Sequence, residues 1–151
     1  MLRFSLVLAG LLLASVAGAD NVYMIGRVNI QGTTYAQVVF FSHKDITTLE
    51  ACEKEVAYGR NGQWQHYSHD VKKAAGMSVA VNYLCRTSSL VLPKWQPRDR
   101  YDLVYEVDIR DNGLKLVEHN TYAECVRHFK DKKVGETYEY FCAKANQRRQ
   151  P

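Results

Sequence analysis

Thr48-Leu49-Glu50-Ala51-Cys52, resumed at Tyr83-Leu84-Cys85, is echoed by Thr121-Tyr122-Ala123-Glu124-Cys125, resumed at Tyr140-Phe141-Cys142. In each pair a Thr stands four residues before a Cys in a segment of helical periodicity. A Tyr then stands two before a second Cys in a segment that alternates like a strand. Leu49, Cys52 and Val56 recur at the same spacing as Tyr122, Cys125 and Phe129, so each helix presents an apolar stripe that includes its Cys. Thr47 with Glu50 and Thr121 with Glu124 carry the capping-box pattern that starts a helix, offset by one residue between the two segments. Gly59 or Gly62 ends the first helix.

Upstream of each helix lies a hairpin signature. Tyr23 to Ile30 and Thr33 to Phe41 are rich in β-favouring residues around Gln31-Gly32, and Val38 to Phe41 is apolar on both faces. Tyr101 to Ile109 alternates, Asp111-Asn112-Gly113 is a turn, and Leu114 to His119 returns. Downstream of each helix comes one more strand, Met77 to Thr87 and Thr137 to Ala143. The chain therefore reads as a strand-strand-helix-strand unit written twice, over about residues 22–87 and 101–144, joined by a connector at 88–100 that holds Pro93, Trp95 and Pro97. The expected class is α+β: an antiparallel-rich sheet with two main helices on one face and two disulfides.

The repeat also chooses among the three pairings that four Cys allow. If each helix crosses back so that the third strand pairs beside the first, the helix start and the third strand's end meet at one end of the sheet. The expected bridges are Cys52 with Cys85 and Cys125 with Cys142.

Residues 1–19 carry one basic residue, Arg3, an apolar run from Phe4 to Val16, and small residues at Ala17 and Ala19. This is the layout of a cleavable secretory signal, and the even Cys count fits the oxidising compartment it implies, periplasmic or extracellular. The rest, 20–151, is one exported domain without a stable membrane span. Setting Arg3 aside leaves 19 basic against 16 acidic residues. That mild surplus is interspersed with acids along most of the chain, which argues against nucleic acid as a partner. Arg148 and Arg149 lie in a polar tail that reads as a solvated terminus.

No P-loop, dinucleotide fingerprint, nucleophile elbow, H-E-x-x-H or C-x-x-C motif is present, so no cofactor and no metal site is expected. His66 and His69 stand three apart without a clear third ligand. Ser68-His69-Asp70 is contiguous, which a catalytic triad does not require. Glu106 and Asp108 alternate with apolar residues and read as a solvated sheet face. Residues 59–76, absent from the second unit, hold Trp64, His66, Tyr67 and His69, with a short helix expected from Asp70 to Ala75. The connector adds Trp95, Arg98 and Arg100. Large aromatics in connecting segments favour recognition, so these seven residues are the expected ligand-binding surface. The functional expectation is an exported, non-catalytic binding or inhibitor module that meets a protein or envelope component. The alternatives are a small hydrolase-type enzyme with a His and carboxylate site, and a structural envelope protein.

Overall fold

The computed structural model describes residues 20–60, 79–111, 113–130 and 138–151. Eight elements follow in order: β1 (Asn21–Ile30), β2 (Ala36–Phe41), α1 (Leu49–Tyr58), β3 (Val79–Ser88), β4 (Leu103–Arg110), β5 (Gly113–His119), α2 (Tyr122–Lys130) and β6 (Tyr138–Ala145). The leader, the 59–76 insertion beyond Arg60 and the helix expected at 70–75 lie outside the described residues.

The six strands close into a barrel in the order β1-β2-β6-β4-β5-β3. β1 is flanked antiparallel by β2 and β3, with Met24 opposite both Phe41 and Cys85. β4 is flanked antiparallel by β5 and β6, with Glu106 opposite Val117 and Cys142. Two short parallel contacts complete the ring, β2 with β6 at Gln37 and Lys144, and β3 with β5 at Thr87 and Gly113. An antiparallel-rich sheet with both helices on one face was expected. Closure removes sheet edges, which an open sheet would leave as unpaired backbone.

Alternate residues of the strands fill the barrel: Tyr23, Ile25, Val38, Phe40, Tyr105, Val107, Ile109, Leu114, Leu116, Phe141 and Ala143 form one buried cluster. The other parity faces outward and is covered by helices. α1 lies over β1 and β3, burying Cys52 and Val56 against Val22, Met24 and Cys85. α2 lies over β4, β5 and β6, burying Cys125 against Val104 and Cys142. Gly26 suits the first of these surfaces, because a Cβ there would sit 3.2 Å from the Phe41 ring and 3.3 Å from that of Tyr83.

The disulfides join Cys52 to Cys85 and Cys125 to Cys142, with Cα separations of 5.8 and 5.9 Å, as the repeat reading requires. The cap of α1 is Thr48 rather than Thr47: its hydroxyl accepts from the Ala51 N–H. Thr121 likewise accepts from the Glu124 N–H, so the one-residue offset expected between the two helix starts disappears.

The polar tail is more than a solvated terminus. Gln147 is 1% exposed, and its carboxamide accepts from the Phe40 N–H at 2.8 Å while donating to the Phe40 and Pro93 carbonyls. It thereby supplies β2 with the backbone partner that a neighbouring strand would otherwise give. Beside it the Tyr23 hydroxyl donates to Leu90 O and accepts from Leu92 N–H, fastening the connector across that end of the barrel.

Candidate functional site

Of the expected contact residues, Trp64, His66, Tyr67 and His69 lie outside the described residues. Trp95 is half-buried, edge-on to Phe41 at 5.2 Å between ring centroids, and its indole N–H donates to the Tyr101 hydroxyl at 3.1 Å. Phe41 in turn packs against the cluster beneath α1, so Trp95 extends that cluster. Arg98 and Arg100 are exposed. The connector is further held by Asn146, whose side-chain amide donates to Gln96 O.

Among the described residues, a close grouping of ionisable side chains lies elsewhere, under and beside α2. Glu106 sits mid-strand on β4, on the outward parity, and its side chain is 2% exposed. It was expected on a solvated face. α2 crosses the outer surface at this point, so outward no longer means wet. A carboxylate removed from water needs hydrogen bonds or opposite charge, because its transfer to an apolar setting is costly. Two imidazoles meet the need. His119 closes β5 and places Nε2 at 3.2 Å from Glu106 Oε2. His128, on α2 three residues beyond Cys125, brings Nδ1 into close hydrogen-bonding contact with the same oxygen. The two rings are 5.6 Å apart between centroids.

The three side chains differ in access. His119 is 9% exposed and His128 is 54% exposed, so the site is closed at its floor and open at the helix. A further carboxylate, Glu124 in the first turn of α2, lies on the far side of His119, with Oε1 3.9 Å from Nδ1. Its other oxygen accepts from the Asn120 N–H. One donor atom each from Glu106, His119 and His128 lies within 4.8 Å of the others, the one such three-residue grouping found among the described residues. A cation, a proton donor or a hydrogen-bonding ligand can be met by these groups. No metal site was expected, and the sequence signal that could have pointed here is His128 at one helical turn after a Cys whose partner, Cys142, pairs with Glu106.

A second polar grouping occupies the other side of β6. Arg27 lies over the Phe141 ring at 3.9 Å and 3.6 Å from Glu139. Burial lowers the Arg27 guanidinium pKa from its usual value, and the charges of Glu139 and Tyr122 oppose that fall. Tyr122 ties α2 to β2: its hydroxyl donates to Thr34 O at 2.6 Å and accepts from the Ala36 N–H at 3.1 Å. Burial raises its pKa. These contacts are internal and locate α2 over the barrel.

No known protein family matches the chain, and neither the curated proteins nor the solved structures contain a match to it. No helix among the described residues is long and apolar enough to cross a membrane.

Proposed function

We propose that the protein is an exported, non-catalytic binding module, a disulfide-stapled barrel whose ligand contact centres on Glu106, His119 and His128. The observation that carries this reading is a carboxylate 2% exposed lying beneath an imidazole that is 54% exposed. Such a pair keeps a desolvated polar group within reach of a visitor from solvent, where hydrogen bonds and electrostatic contacts are stronger than in water. Export is supported by the signal-like leader and by two disulfides, which persist in oxidising compartments. Internal duplication of the strand-strand-helix-strand unit is part of the proposal. Its support is that β1 and β4 each take their own unit's second and third strands as neighbours, and that each helix is bridged to its third strand. Trp95 contributes as packing beneath the connector, and Arg98 and Arg100 remain candidates for a second contact.

The reading is tested by histidine footprinting. Diethyl pyrocarbonate labelling of His128, read by mass spectrometry, falls when the protein is mixed with a low-mass or a macromolecular fraction of its exported compartment. Equal labelling in buffer and in both fractions would contradict the proposal.

One observation favours a hydrolase-type alternative: an imidazole in contact with a buried carboxylate is the arrangement that general-base chemistry uses. It predicts turnover of an ester, phosphoester or peptide substrate that disappears in Glu106→Gln. Binding without turnover in that panel supports the module.

A further inference from the structure

We infer that Glu106, His119 and His128 form a binding site for one divalent late transition-metal ion, with zinc as the reference case. This rests on the binding reading above and names its ligand class.

The donor set is the first argument. Two imidazole nitrogens and one carboxylate oxygen make up the set that zinc takes in sites with one position left open. Imidazole suits zinc, copper and nickel, whereas calcium and magnesium take oxygen.

Spacing is the second. Around a tetrahedral ion with bonds near 2.1 Å, neighbouring donors stand about 3.4 Å apart. His119 Nε2 lies 3.2 Å from Glu106 Oε2. His128 Nδ1 approaches the same oxygen, and one donor atom of each of the three side chains lies within 4.8 Å of the others. Admitting an ion requires His128 to move outward, and its exposure allows this.

The surroundings of His119 are the third. A metal-bound imidazole commonly offers its other nitrogen to a carboxylate, which holds the ring and tautomer. With Nε2 turned to Glu106, Nδ1 faces Glu124 at 3.9 Å, a separation that a direct hydrogen bond does not span. Glu124 is itself held by the N–H of Asn120.

Framework is the fourth. Glu106 pairs with Cys142 across β4 and β6, and Cys142 is bridged to Cys125, one turn before His128. The bridge therefore holds the helix that carries one donor against the strand beside the one that carries another. The same positions in the first half hold different chemistry. Met24 pairs with Cys85 where Glu106 pairs with Cys142, and Glu55 follows Cys52 by three where His128 follows Cys125. A buried carboxylate–imidazole contact required by the architecture itself would be expected at both.

The test uses the disulfide-intact protein and zinc chloride in equilibrium dialysis. The expected result is one zinc per chain. His128→Ala, on an exposed helix position that leaves the fold intact, weakens binding by more than about 100-fold, and Glu124→Gln weakens it by about 10-fold, the range of an outer partner. Glu106→Met keeps the circular dichroism spectrum and loses the zinc. A His66→Ala/His69→Ala double variant binds as the parent does. No stoichiometric zinc, or zinc retained in both His128→Ala and Glu106→Met, would overturn the inference. So would zinc lost only in the His66 and His69 double variant. If zinc fails to bind while a macromolecular fraction still protects His128 from diethyl pyrocarbonate, the metal is wrong and the binding reading stands.

Discussion

The two halves of the barrel use one plan for opposite chemistry. In each, a helix capped by a Thr lies across the outer surface and is bridged from its first turns to the last strand of its unit. α1 covers an apolar surface, with its Cys52 and Val56 against Val22, Met24 and Cys85. Beneath α2 the Cys125–Cys142 bridge and Val104 share the space with a buried carboxylate and its two imidazoles. His43 follows Phe41 by two residues as His119 follows Val117, yet β2 stops at Phe41 and the His43 ring turns to Asp45 at 3.2 Å. Covering a strand with a helix thus needs no ionisable group, and the carboxylate and imidazoles of the second half call for a separate reason.

Exchange of the equivalent residues puts the comparison at risk most directly. Met24→Glu buries a carboxylate against Val22, Val56 and the Cys52–Cys85 bridge, with no imidazole beside it among the described residues, and it should destabilise by about 3–5 kcal/mol in urea unfolding. Glu106→Met leaves the His119 imidazole, 9% exposed, without its carboxylate partner while filling the space with an apolar side chain of similar size, and it should cost less, about 1–3 kcal/mol. Equal losses would mean that the halves differ only in sequence.

Removal of either disulfide as a Cys→Ser pair should cost about 3–4 kcal/mol, with the first bridge worth about 0.6 kcal/mol more because it closes a longer loop. The sequence separations are 33 and 17. Only loss of the second bridge should also impair the Glu106 site, a difference read by labelling of His128.

Tyr122 and Leu49 each follow a capping Thr, but only Tyr122 carries a hydroxyl to β2. Tyr122→Phe leaves the Ala36 N–H without that partner and should cost about 1–2 kcal/mol. Burial raises the pKa of this phenol. An unfolded chain therefore loses the proton first, and the stabilisation present below the ordinary tyrosine value is lost as pH rises through the folded one. Alkaline melting curves should show a smaller fall in the Phe variant. The smallest effect is the most symmetric: Thr48→Ala and Thr121→Ala should each cost about 1 kcal/mol.

Much of the framework was legible in the residues. Cys pairing followed from strand parity and the handedness of a helical crossover, which are local consequences of a single unit. The apolar run Val38 to Phe41 was read as buried on both faces, and Val38, Val39 and Phe40 are fully buried. Closure was not legible, because it depends on two short parallel contacts between units, around Gln37 with Lys144 and Thr87 with Gly113. Neither leaves a periodic mark. Glu106 was misread for the same reason: alternation places it on the outer face, but whether that face is wet depends on where α2 lands. Trp95 was read as an anchor from its size and loop position; the edge of Phe41 and the hydroxyl of Tyr101 that hold its ring leave no local pattern. Gln147 gave no signal, since an amide near a terminus looks the same whether it pairs with solvent or with a strand backbone.

The most direct measurement is the anomalous difference map of a zinc-loaded crystal of the disulfide-intact protein. One peak is expected about 2.0–2.2 Å from a Glu106 carboxylate oxygen, His119 Nε2 and His128 Nδ1. Zinc seated on His66 and His69, or a saturated crystal with no peak between β4, β5 and α2, would contradict it.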